Sequence, residues 1–132
     1  MTILSFVKKW NGKGIQDDGS VVSREFRTFA RDFRSMVKTV AEELGATLIS
    51  FSAGHYDMYG FVEKGEKYLY FSFSVPRGEF PMNLREPQFM GEVLVRTASS
   101  PKDYTGGRNN FCPMVEIKGL MERLFVRFQT VI

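Results

Sequence analysis

The sequence predicts an α+β domain in two layers: a four-stranded antiparallel sheet with one long helix and one or two shorter ones. Two features of the pattern point there. An apolar period of three to four residues runs through positions 21–44, and after Gly45 it changes to a period of two. Helical and extended stretches are then segregated along the chain, in the order α-α-β-β-β-β-α. The chain's 132 residues, 43% hydrophobic with thirteen Phe, suit a single domain over 1–132 with one core and exclude disorder as its overall state.

The elements follow in order. Ile3, Phe6, Val7 and Trp10 fall at helical spacing, and Asn11, Gly12 and Gly14 end that short helix. Residues 11–20 carry turn chemistry and no apolar period, so they read as a loop, with a helix cap at Ser20 or Ser23. Val22, Phe26, Phe29, Phe33, Met36, Val37, Val40 and Leu44 then draw one stripe along a helix of some six turns, closed by Gly45. Residues 46–53 alternate as a first strand, with Ile49 and Phe51 on one face and Ser50 and Ser52 on the other. Positions 56–63 and 67–75 form a hairpin turning at Lys64 and Gly65. Its second strand sets Leu69, Phe71, Phe73 and Val75 against Tyr68, Tyr70, Ser72 and Ser74. Pro76, Gly78, Pro81 and Pro87 make 76–91 a long connection, anchored by Phe80 and Phe89. A fourth strand covers 92–97, and Pro113 opens a final helix carrying Ile117, Leu120, Met121 and Leu124. The tail 125–132 prolongs that helix or becomes an edge strand, and Gly119 weakens the helical alternative.

Charge and composition narrow the function classes. No apolar run approaches the ~20 residues that span a bilayer, and Lys8 and Lys9 follow the first apolar residues rather than preceding them, so no membrane partner and no signal peptide is expected. One cysteine, Cys112, and one histidine, His55, give neither an internal disulfide nor a zinc cluster. The expected setting is cytoplasmic, with no metal and no cofactor. A net charge of +3 favours anionic partners only where it is concentrated.

The long helix gathers five cations on one face. Arg24, Arg27, Arg31, Arg34 and Lys38 are spaced 3, 4, 3 and 4 residues apart, which lines them up in a narrow sector opposite the apolar stripe, a ridge about 20 Å long. Arginine's planar fork suits phosphate and carboxylate contacts, so the ridge is a candidate anion site; the structural alternative is a solvated face paired to the flanking Glu25, Asp32 and Glu43. Tyr68 and Tyr70 make a candidate aromatic face able to stack unpaired bases or anchor a protein, or simply to fill half-buried strand positions. The loop 99–110 places Lys102, Gly106, Gly107, Arg108, Asn109 and Asn110 ahead of a helix, where freed amides hold an anion, or where Asp and Asn side chains stitch a compact loop. It matches neither G-x-x-x-x-G-K-S/T nor G-x-G-x-x-G. A Cys112–His55 dyad lacks any local signature, and no catalytic residue is assigned.

Residues 51–78, FSAGHYDMYGFVEKGEKYLYFSFSVPRG, and 93–111, VLVRTASSPKDYTGGRNNF, resemble small proteins carried by phages, plasmids and integrative elements of bacteria, in which a G-H-Y turn, a K-Y-x-Y-F-S strand and a K-D-Y-T-G-G-x-N loop recur. The resemblance covers about the middle half of the chain and implies a setting, DNA transfer or the countering of host defences, rather than an activity. The expectation is a non-enzymatic module that binds nucleic acid or a nucleoprotein complex through the ridge, assisted by the 106–110 loop. The alternatives are an inhibitor of a host defence nuclease, of the anti-CRISPR type, that acts by protein or guide-RNA contact, and a small enzyme using residues 105–110 with His55.

Overall fold

The computed structural model describes residues 1–76, 81–87 and 91–130. Helix α1 (Ile3–Trp10) is capped by the Thr2 hydroxyl, which accepts from the Ser5 amide at 3.1 Å, and it buries Phe6, Val7 and Trp10. Helix α2 (Arg24–Glu43) begins three residues later than the apolar pattern suggested, because Ser23 takes the cap position and its hydroxyl accepts from the Phe26 amide at 3.1 Å. Ahead of it, the Asp18 carboxylate accepts from the Arg24 and Ser20 amides at 2.9 and 3.0 Å, which leaves Val21 outside the helix and exposed. At the other end Ala46 N–H reaches Ala41 C=O at 2.8 Å and Gly45 N–H reaches Glu42 C=O at 3.1 Å, with Gly45 at φ +70°: a Schellman stop, for which glycine at that position is the natural choice.

The sheet is a five-stranded antiparallel meander in the order β1 (Thr47–Ala53), β2 (Asp57–Lys64), β3 (Lys67–Ser74), β4 (Val93–Ala98), β5 (Asn110–Cys112). The expected count was four; three residues are too few to show an alternation, and only the pairing of Cys112 with Val93 and Phe111 with Leu94 reveals β5. A single 3₁₀ turn, Met114–Glu116, with Pro113 at its cap, leads into α3 (Ile117–Thr130), so the chain after Phe125 continues the helix as far as Thr130. Gly119 is tolerated there.

Three local departures have plain physical causes. A bulge between Leu48 and Ser50 adds one residue to β1, so Leu48 and Phe51 turn to the core while Ile49, expected beside Phe51, stands out at 37% exposure. Gly60 makes that bulge possible: a Cβ there would strike the Ser50 carbonyl oxygen. Tyr56, expected to open the second strand, instead sits at φ +69° in the β1–β2 turn with its ring buried against Phe26. The hairpin turns at Gly65 and Glu66, both at positive φ, as a two-residue type I′ turn requires, one position beyond the expected Lys64–Gly65.

One core joins these elements. The expected stripe is buried from Phe26 to Leu44, while Val22, ahead of the helix, is half-buried; Phe33, fully enclosed, meets the rings of Phe6, Phe29, Phe51, Phe71 and Phe73 at 5.8–6.4 Å between centroids. Leu69, Phe71, Phe73 and Val75 face the helices as expected. The connection after β3 is tied down by buried Met82 and Leu84. Backbone bonds pair Met82 with Gly12 and Lys13, and the Asn11 side chain accepts from the Leu84 amide at 2.7 Å. Phe80 and Phe89, the expected anchors, lie outside the described residues.

Candidate functional site

All five ridge residues, Arg24, Arg27, Arg31, Arg34 and Lys38, are exposed. At 100° per residue they occupy an arc of about 80°, along about 21 Å of helix. Whether such a stripe is a solvated ion-paired face turns on the acids beside it; Glu42, exposed and four residues past Lys38, shares the ridge's sector, while the three flanking acids are engaged elsewhere. Glu25 accepts from the Gln16 amide at 3.2 Å. Glu43 pairs with Lys118 of α3 at 2.8 Å. Asp32 is buried against α1, where its carboxylate accepts from Trp10 Nε1 at 3.0 Å and pairs with Lys9 Nζ at 2.7 Å. Burial raises the Asp32 pKa, but the Lys9 and Trp10 bonds and the nearby Arg31 charge outweigh it, so the carboxyl stays ionised below its ordinary range. Arg31 Nη2 reaches the other Asp32 oxygen only at 3.8 Å, with its side chain 74% exposed. Arg27 donates to the Val22 carbonyl at 3.1 Å. Among the described residues, the side chains of Arg24, Arg34 and Lys38 make no hydrogen bond or salt bridge.

Asp32 and Glu43 share one flank of α2 and contact α1 and α3 from it. The ridge lies on the solvent side, away from that flank. Helix α2 packs on β1, with Phe33 against Phe51, and among the described residues β1 pairs with β2 alone, so α2 lies over an edge of the sheet.

The sheet face away from the helices carries a second cluster, of which the sequence marked only Tyr70. Register sets Phe61, Tyr70 and Arg96 side by side on β2, β3 and β4, with Tyr59, Ser72, Leu94 and Phe111 in the next row. Tyr104, from the loop 99–110, meets Tyr59, Phe61 and Tyr70 at 5.2–6.0 Å and 69–82°. Phe61 is thereby fully buried outside the main core, while Tyr104 stays 48% and Phe111 58% exposed. The Arg96 guanidinium lies over the Tyr70 ring, 4.5 Å from its centroid, and donates through Nη2 to the Tyr104 carbonyl, pinning the loop. Tyr68, one row further, pairs with Glu63 and Ala98 and is half-buried. One signal for this cluster was present in β2, whose apolar residues lie on both faces, Met58 and Val62 on one and Tyr59 and Phe61 on the other.

The loop itself is knotted by Asp103. Its carboxylate accepts from the Ser99 amide at 2.9 Å, the Ser99 hydroxyl at 3.1 Å, the Gly106 amide at 2.7 Å and the Thr105 amide at 3.4 Å, and these amides hold its pKa down. Of the amides expected to cradle an external anion, that of Gly106 thus already holds an internal one. Gly106 lies against the Asp103 carboxylate, and Gly107, at φ +79°, lets the chain pass tight against the Thr97 carbonyl. Lys102, Arg108 and Asn109 are exposed. The segment leads into β5 rather than directly into a helix, and it covers the face opposite α2, so the structure does not bring it together with the ridge.

Nor does it bring His55 to the loop. His55 lies in the β1–β2 turn beyond the Asp57–Ser74 pair, whereas Gly107 abuts Thr97, which pairs with Leu69; about 16 Å of strand separates those rows. Cys112 lies on β5, at the opposite edge of the sheet from β1. Burial, helped by Glu116 and Glu92, pushes its thiol up to about 12, the reverse of an activated nucleophile. Among the described residues no group of three or more His, Cys, Asp and Glu could hold a metal ion, and no helix is long and apolar enough to cross a membrane. Comparison with protein-family models, with curated proteins and with solved structures finds no match for this chain.

Proposed function

We propose that this chain is a binding module that grips the phosphate backbone of a nucleic acid through Arg24, Arg27, Arg31, Arg34 and Lys38. The observation that carries the reading is the diversion of the flanking acids: Glu25, Asp32 and Glu43 are committed to a loop amide, to α1 and to α3, and the five cations stay exposed, the 3.8 Å pairing of Arg31 to Asp32 being their only salt bridge among the described residues. Exposed arginines aligned over about 21 Å supply charge-assisted, bidentate contacts to successive phosphates. In this reading the arginines contact phosphates, which position a nucleic acid and carry no sequence information directly. Such a module fits the mobile-element setting that the resemblance implies.

The test is fluorescence anisotropy with labelled DNA and RNA from about 25 to 200 mM salt. Five phosphate contacts give a log-affinity against log-salt slope of about −3.5 for a single strand and about −4.5 for duplex DNA. No binding at low salt, or a slope shallower than about −1, overturns the reading.

A further inference from the structure

We infer that the outer face of the sheet is a stacking site for unpaired nucleobases, which makes the preferred ligand a single strand. This rests on the nucleic-acid reading above and specifies its substrate.

Tyr104 and Phe111 are the most exposed aromatic residues described, at 48% and 58%, and both stand on this one face. Neither serves the main core. Phe111 on β5 and the Tyr70 position beside Tyr104 on β3 lie two strand spacings, about 10 Å, apart across the sheet and one row apart along it, with Leu94 and Arg96 of β4 between them, so the two rings offer separate stacking positions to successive bases. Tyr104 is held rather than loose: three rings contact it edge to face, and Arg96 binds its carbonyl while lying on Tyr70. Such a ring loses little freedom when a base stacks on it.

Charge selects a nucleotide over an apolar protein segment. Lys102 and Arg108 stand exposed on the same loop, and the loop's one acid, Asp103, spends its charge on the loop's own amides. Asp57 and Glu63, the acids of the β2 outer face, stand at its two ends, while hydroxyls of Ser50, Ser52 and Ser72 line the rows between. Helix α2, which carries the ridge, packs on β1, an edge strand of this sheet among the described residues, so one flexible strand rounding that edge can meet both surfaces. A duplex, whose bases are stacked internally, can use only the ridge.

The experiment compares fluorescein-labelled twelve-nucleotide single strands, DNA and RNA, with a twelve-base-pair duplex on the full chain. Two variants are used, Tyr104→Leu, which still covers Phe61, and Phe111→Ala, whose side chain is mostly in solvent. A single strand carrying 2-aminopurine reports stacking by quenching of its fluorescence. The expected result is tighter binding of the single strand, a loss of about 5- to 100-fold in each variant with duplex binding unchanged, and quenching that the variants relieve. Equal affinity for both forms, with both variants at wild-type level and no quenching, overturns the stacking site; the ridge reading then stands if Arg27→Gln, Arg31→Gln and Arg34→Gln together still lose affinity. If no probe binds, both readings fall. Loss of apolar-peptide binding in the variants, without loss of single-strand binding, assigns the face to a protein and also overturns the proposal.

Discussion

Asp32 decides whether the ridge is free, and replacing it measures what holds it. Its carboxylate is 9% exposed and serves Trp10 Nε1 at 3.0 Å and Lys9 Nζ at 2.7 Å. Asp32→Ala leaves the indole N–H, on a residue 3% exposed, buried without an acceptor, at a cost of about 1–3 kcal/mol. The Lys9 side chain is 41% exposed, so its ion pair, screened by water, adds at most about 0.5 kcal/mol. The sum is a destabilisation of about 1–3.5 kcal/mol. Asp32→Asn keeps an acceptor for the indole and loses only the charge, costing about 1 kcal/mol or less. Trp10 is the only tryptophan, so urea unfolding followed by its fluorescence reports on this contact directly. The folded pKa of Asp32 lies below its unfolded value of about 3.9, so the folded state binds the proton less readily. The charge-dependent stability is therefore complete above about pH 4 and is lost as pH falls through the folded pKa. The gap between wild type and Asp32→Asn should close on that descent. An Asp32→Ala protein as stable as wild type, or a gap unchanged between pH 7 and pH 3, refutes the reasoning.

Other perturbations test the fold and its chemistry. Phe71→Ala, at a fully buried position between Phe33 and Phe51, should cost about 3–5 kcal/mol in chemical denaturation, and an unchanged melting temperature would mean the sheet faces are misassigned. Gly60→Ala should cost about 2 kcal/mol or more, because its Cβ strikes the Ser50 carbonyl oxygen and the 2.9 Å approach to Phe71 leaves no retreat; amide exchange in β1 should accelerate first. Cys112, 4% exposed and with its thiol pushed up to about 12, should resist a disulfide reagent at pH 8 until the chain unfolds, and fast stoichiometric labelling of native protein would contradict its placement.

What was legible in the sequence was what repeats. The α2 stripe runs for six turns, and its ends carry Ser23 and Gly45, residues whose capping chemistry is local. β3 alternates without interruption and its faces were read correctly. Features set by a single residue or by a distant partner were not legible. The bulge at Ile49 shifts the alternation by one and inverts the expected face; its sign, Gly60, lies eleven positions away on the paired strand. β5 exists only through its pairing with β4. The ridge was visible as a spacing, but how little the flanking acids hold it depends on Lys9, Trp10, Gln16 and Lys118, brought to those acids by tertiary packing. The aromatic cluster needed Tyr104 to fold back from a loop without periodicity, and so only Tyr70 of its rings was marked. In the loop the glycines drew attention as an anion cradle, while the residue that decides the matter, Asp103, had already filled it.

The most direct measurement is the salt dependence of nucleic-acid binding by the triple variant Arg27→Gln, Arg31→Gln, Arg34→Gln. These side chains are exposed and glutamine has nearly the helix propensity of arginine, so the melting temperature should move by no more than about 2 °C. Removing three phosphate contacts should make the slope of log-affinity against log-salt shallower by about 2 to 3, with affinity falling equally for all sequences. An unchanged slope in a stable variant, or a fall in stability with binding intact, would contradict the ridge as the nucleic-acid site and return these arginines to a structural role.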